Sequence, residues 1–250
     1  MPLFQNLPWL AAVAALLVGL SKGGLPAVGM LGVPLLALVM PPVTAAVLLL
    51  PIFVMSDMVG VWLYRRHYSA ANLRVLIPAG VLGVLVGWLT ASHIPERVIT
   101  LLIGFMGVGF CLNVWLRRGD AAQAKRPSTP WGWFWGLVAG FTSFISHAGA
   151  PPFQVYVLPQ KLPKAEFAGT ATILFAVINA SKIWPYQNLR PYSAQGLWQA
   201  AVLIPFALAG TVLGAYLTRR IADAWFFRLV QISLLVVSIK LVADGLGLRA

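Results

Sequence analysis

The sequence predicts an all-α polytopic membrane protein made of two inverted structural repeats, each a broken or re-entrant helical hairpin followed by three transmembrane helices. Three observations lead there. The 250 residues are 60% hydrophobic and 10% charged, with a mean hydropathy of +0.84, whereas a soluble globule needs about 25% charged residues. The apolar residues come in several segments near the roughly 20 residues that cross a hydrocarbon core. Finally, Ser21-Lys22-Gly23-Gly24-Leu25-Pro26 interrupts the first apolar stretch, and Ser146-His147-Ala148-Gly149-Ala150-Pro151 interrupts another at an offset of 125 positions.

In chain order, residues 7–20 and 27–40 form two short apolar arms around the first break, and Pro41-Pro42 closes the second arm. Segments 43–63, 74–91 and 97–116 are each long enough to span. A basic stretch from Arg117 to Pro130 carries Arg118, Lys125 and Arg126 and divides the chain. Arms at 131–145 and 152–159 then flank the second break, followed by spans at 167–185, 197–217 and 225–243. The organisation expected is a first repeat over 1–118, a basic cytoplasmic linker over 119–130 and a second repeat over 131–250, all in one compact transmembrane bundle. The start of the chain does not read as a signal peptide, because no basic residue precedes the apolar run. The single Cys111 lies in an apolar segment and implies neither disulfide nor metal cluster.

Other features keep register between the halves. Ser56-Asp57 falls opposite Ser181-Lys182 at the offset of 125, and Ile77-Pro78 opposite Ile204-Pro205 at 127. The second offset also aligns Gly83 and Gly87 with Gly210 and Gly214, small residues four apart of the kind that let helices pack closely.

A formal charge of +12 could suggest a nucleic-acid partner. The basic residues instead fall in short loops, as the positive-inside effect requires, so none is expected. Arg65, Arg66, Arg74 and the central linker are assigned to the cytoplasm. If each interrupted segment enters and leaves on one side, or crosses twice, the second half is flipped. Lys161, Lys164, Arg219, Arg220 and Arg228 then also lie inside, and both termini lie outside. A parallel repeat would export the Arg219-Arg220 pair.

Inverted repeats with paired helix breaks near the bilayer midplane are a transporter architecture. A broken helix exposes unpaired N–H groups, and the following half-helix carries partial positive charge, so a small anion is the expected guest. The candidate binding residues are Ser21, Lys22, Gly23 and Gly24 at the first break, and Ser146, His147, Gly149 and Gln154 at the second. Asn179 and Lys182 join them, since positions three apart share a helix face. Asp57 is the only acidic residue inside an apolar span. It either carries a proton or neutralises Lys22 or Lys182, and His147 is the second candidate for proton coupling. Trp131, Trp133 and Trp135 are read as an interfacial belt and Lys240 as an interfacial anchor.

The glycine-rich element Gly19-Leu20-Ser21-Lys22-Gly23-Gly24-Leu25-Pro26, its counterpart over Ser146 to Pro152 and the two-half layout resemble the TauE/SafE sulfite exporter family. That resemblance implies a prokaryotic inner-membrane carrier of small sulfur-containing anions such as sulfite or sulfonates. No nucleotide-binding loop is present in the sequence, so transport would draw on a gradient, a partner or the substrate itself. No cofactor or metal is expected, and oligomeric state is not encoded. An anion channel is the alternative reading. A membrane-embedded enzyme is a further one, although His67, His93 and His147 are too scattered to build a catalytic set.

Overall fold

The computed structural model describes residues 8–26, 28–36, 39–40, 42–90, 95–116, 124–189 and 191–247. Among them the ordered elements are helical. The first half holds α1 (Pro8–Lys22), a 3-10 turn (Val28–Leu31) leading into α2 (Gly32–Leu36), then α3 (Pro42–Tyr64), α4 (Ala70–Thr90) and α5 (Glu96–Leu116). The second half holds α6 (Thr129–Ser146), α7 (Ala150–Val157), a 3-10 turn (Leu158–Gln160), α8 (Lys164–Leu189), α9 (Ala194–Arg220) and α10 (Asp223–Leu246). Within the described residues, α3, α4, α8, α9 and α10 are long and apolar enough to cross a membrane. Large apolar side chains such as Trp62, Leu102, Trp198 and Val236 are exposed on the outside of the bundle, where hydrocarbon is their natural solvent. This is a multi-pass membrane protein.

The interruptions fall where the sequence placed them, but several helices begin earlier than their apolar runs. The 74–91 segment starts at Ala70 because the Ser69 hydroxyl accepts the Asn72 N–H at 3.5 Å. The 197–217 segment starts at Ala194 because Ser193 accepts the Gly196 N–H at 3.0 Å. Hydropathy marks only the middle of such a helix, whereas a capping hydroxyl sets its start. Within the arm expected at 27–40, the described residues form a 3-10 turn and a five-residue helix. It folds back along α1, with Gly29 against Ser21 and Gly32 against Val18.

Two helix pairs are joined by backbone contact. A Cβ on Gly19 of α1 would lie 1.9 Å from the Ala207 carbonyl of α9, and one on Gly140 of α6 would lie 1.9 Å from the Gly80 carbonyl of α4. Gly23 meets Gly214 and Ala215, while Gly83 meets Leu137 and Phe141, so both pairs run parallel. α3 packs antiparallel on α8, and α5 antiparallel on α10, with Gly104 beside Ser238 and Val242 and Gly245 beside Leu101. The tyrosine hydroxyl of Tyr156 donates to the Ser128 carbonyl at 3.0 Å, so α6 and α7 begin and end at the same end of the bundle. Gln160 exchanges hydrogen bonds with Asn72 there, beside the α3–α4 loop.

The main core joins α3, α4, α7 and α8 around Leu50, Leu76, Phe153, Phe167 and Leu174. A second cluster seats α1 against α3 and α9. At the rim, Lys164 pairs with Asp223 at 3.1 Å and Lys240 with Asp244 one turn on. Trp131 and Trp133 are exposed at the start of α6, and Trp135 is half-buried against Phe134. Cys111 is buried. His93, Arg117, Arg118, Arg190 and linker positions 119–123 lie outside the described residues.

Candidate anion site

The two breaks end their helices differently. α1 stops at Lys22, where Gly24 takes φ +122°, a conformation open to glycine. The carbonyls this frees are taken by hydroxyls from three other helices. Gly23 accepts from Tyr64 at 2.6 Å and Thr218 at 3.0 Å, and Lys22 accepts from Thr172 at 3.1 Å. α6 ends instead with His147 in the left-handed region at φ 54°, its N–H donating to Ser143 and that of Ala148 to Thr142. The His147-to-Ser143 bond makes this an αL stop with a histidine where glycine is usual.

The tertiary fold brings Lys22, Asp57, Asn179 and Lys182 into one buried chain of contacts. Lys22 Nζ lies 2.8 Å from Asp57 Oδ1, and both side chains are about 5% exposed or less. Asn179 Nδ2 donates to Asp57 Oδ2 at 2.7 Å, and Asn179 Oδ1 accepts from Lys182 Nζ at 3.1 Å. Lys182, fully buried, also donates to Ser143 Oγ at 2.7 Å. The amide of Asn179 is thereby oriented without ambiguity, with oxygen toward the ammonium and nitrogen toward the carboxylate. Lys182 does not reach an interface, since its amine is held inward by α6 and its own helix. With both amines charged and Asp57 ionised, two cations share one carboxylate, and burying unequal charge is costly unless a ligand completes it.

A cavity of about 30 Å³ adjoins this chain, room for a water or a group of a few atoms. Its polar lining is Ser21, Lys22, Ser143, His147, Thr172 and Asn179, and its apolar lining includes Met30, Phe53 and Phe175. Lys22 Nζ sits 4.9 Å from the centroid of Phe53 and 5.8 Å from that of Phe175, within cation–π range. The His147 ring stacks on Phe53 at 5.1 Å with a 10° tilt, and its Nε2 lies 3.3 Å from the Tyr186 hydroxyl. Tyr186 in turn donates to the Phe144 carbonyl at 2.7 Å.

Of the residues expected from sequence, Ser21, Lys22, His147 and Asn179 line the cavity, and Asp57 and Lys182 bond directly to lining residues. Gly23 and Gly24 shape the break beside it, and Gly149 packs against Ala139, Ser143 and Phe175. Ser146 points elsewhere and donates to the Thr142 carbonyl at 3.3 Å. Gln154 lies outside the lining, fully buried, and its side-chain amide has no hydrogen-bond partner among the described residues. The donors around the cavity are side chains rather than the helix-start N–H groups expected. α2 is only five residues long, and Pro151 and Pro152 remove two N–H groups from the first turn of α7. Sequence reasoning missed Ser143, Thr172, Phe53 and Phe175. Each is an unremarkable residue inside an apolar helix, and only packing turns it toward the break.

Neither the curated proteins nor the solved structures contain a significant match to this chain. A family model described as "Sulfite exporter TauE/SafE" matches residues 11–241, which include both breaks and every member of the buried charge chain. The chain therefore belongs to the TauE/SafE sulfite exporter family, a family of membrane transporters and not of enzymes.

Proposed function

We propose that the protein is a secondary carrier that moves a small sulfur-containing anion, sulfite or a sulfonate, across a prokaryotic inner membrane by alternating access. The observation that carries this reading is the burial of two lysines with one aspartate, an excess of one positive charge when all three are ionised, beside a cavity lined by polar side chains. The anion sits between the breaks. Lys22 supplies fixed charge, and Asn179, His147 and Lys182 supply direct or relayed hydrogen bonds.

Two inverted repeats supply the moving parts, divided at the 119–130 linker, with both termini outside. The helix contacts support this. Exchanging α1 with α6, α3 with α8, α4 with α9 and α5 with α10 maps the six most extensive helix pairs onto one another. The Gly19–Ala207 and Gly140–Gly80 contacts exchange with each other under offsets of 121 for α1 and α6 and 127 for α4 and α9. In that packing register Lys22 stands opposite Ser143, one turn away from the His147 suggested by the sequence offset of 125. With Asp57 opposite Lys182 at the sequence offset of 125, the pair Lys22–Asp57 stands opposite Ser143–Lys182.

Coupling follows from the same contacts. Both carboxylate oxygens of Asp57 are engaged, one by Lys22 and one by Asn179. A proton on Asp57 breaks the ion pair and frees Lys22 for substrate. A monoanion balances the excess charge with Asp57 ionised, and a dianion balances it with Asp57 protonated. His147 is the second proton-responsive group, sharing its Nε2 with Tyr186.

Flux in proteoliposomes tests the reading, with sulfite, sulfate, thiosulfate, a sulfonate and chloride as candidate substrates. A carrier gives saturable flux with counterflow, slowed in Lys22→Ala, and an imposed pH gradient changes the rate. Unitary currents, or no flux of any of these anions, would overturn it.

A further inference from the structure

Building on the carrier reading, we propose that Ser143 binds the substrate directly through its hydroxyl and that Lys182, behind it, polarises that hydroxyl, so that the second half contributes a relayed cation where the first half contributes Lys22 itself. The three hydroxyls that line the cavity are not equivalent. Ser21 donates its one hydrogen to the Val18 carbonyl at 2.6 Å. Thr172 donates its hydrogen to the Lys22 carbonyl at 3.1 Å. Ser143, only 3% exposed, does the opposite: its oxygen accepts from Lys182 Nζ at 2.7 Å, and among the described residues no acceptor takes its hydrogen.

An ammonium on the oxygen of a hydroxyl fixes its rotor and turns the hydrogen away from the lysine. Ser143 lines the cavity and Lys182 does not, so the hydrogen is presented on the cavity side. Polarisation by the charged donor strengthens the bond that the hydroxyl then makes. Lys182 thus acts on the anion without touching it, and its amine stays held by Ser143 and Asn179. The correspondence of Ser143 with Lys22 in the packing register gives the same reading from an independent direction.

The consequence is chemical selectivity. A directional O–H donor rewards an oxygen acceptor with lone pairs in a defined direction, whereas a bare ammonium accepts any anion. Lys22 sets charge and Ser143 sets the preference for oxyanions over halides.

The test is sulfite flux in proteoliposomes, with chloride as competitor, for wild type, Ser143→Ala, Ser143→Thr and Lys182→Gln. Ser143→Ala should raise the sulfite KM by ~10-fold or more with little change in the inhibition constant of chloride, and Ser143→Thr should stay within a few-fold of wild type. Lys182→Gln should raise the sulfite KM, by a smaller factor in the Ser143→Ala background than in the wild type. A thermal unfolding scan identifies folded variants, and Ser143→Cys, of similar size but a weak donor, replaces Ser143→Ala if that variant unfolds. A folded Ala or Cys variant with an unchanged sulfite KM, or with sulfite and chloride weakened alike, overturns the role of Ser143 and leaves the carrier reading intact. Absence of saturable flux in the wild type removes the carrier reading itself, and this proposal with it.

Discussion

Asp57 holds Lys22 through one carboxylate oxygen and Asn179 through the other, and so ties the first break to a helix of the opposite half of the chain. Asp57→Asn should lower stability by roughly 3–5 kcal/mol, since it leaves two buried lysines without their carboxylate, and Lys22→Met should cost less, since Lys182 still balances Asp57 through Asn179. The double variant should be more stable than the sum of the single effects requires, because it leaves one unmatched lysine, Lys182, where Asp57→Asn alone leaves two. Thermal unfolding in detergent gives the cycle, and additive losses would mean that the pair is not energetically coupled.

The close approaches of α1 to α9 and α6 to α4 predict matched sensitivity to one methyl group. A Cβ on Gly19 or Gly140 would fall 1.9 Å from a carbonyl oxygen across the interface, so the helices must separate. Gly19→Ala and Gly140→Ala should each cost about 1–3 kcal/mol. Gly109, around which nothing lies within 4 Å, serves as the control. A Gly109→Ala variant as unstable as the other two would count against the packing explanation.

His147 carries a positive φ of 54° while its ring is clamped by Phe53 and Tyr186. His147→Gly and His147→Ala both lose the ring contacts, but only glycine relieves the backbone. The glycine variant should therefore be the more stable by about 1 kcal/mol, measured as a difference in midpoint temperature. Equal stability would show that the backbone at this stop is not strained.

Sidedness is testable with single cysteines in a Cys111→Ser background. The Gln160–Asn72 hydrogen bonds place the α3–α4 loop and the α7–α8 loop together. Arg66→Cys and Lys161→Cys should then react with an impermeant maleimide from one face of the membrane, and Gln195→Cys from the other. Labelling of residues 66 and 161 from opposite faces would contradict the packing.

How much could be read in advance varied by residue. Lys22 and Asp57 stood out because a charge in an apolar run is conspicuous, and the helix breaks because glycine and proline disrupt a helix wherever they fall. Lys182 was visible as a charge but not as a buried one. Its position near the end of an apolar run fits an interface equally well, and only the Ser143 hydroxyl and the Asn179 amide hold its amine inward. Ser143 was not legible, because a serine in an apolar helix usually bonds its own backbone, as Ser146 does here.

The sequence by itself determined the membrane class, the order of helices and the positions of both breaks. These follow from the hydropathy of continuous segments and from local backbone chemistry, which need no knowledge of neighbours. Tertiary structure alone decided which polar groups meet. Lys22, Asp57, Ser143 and Lys182 come from four different helices, and their pairing depends on how glycine-lined helices settle into contact. Local residue chemistry does not encode that register: the sequence offset of 125 pairs Lys22 with His147, whereas the helix contacts bring Lys22 to Asp57 and Ser143 to Lys182.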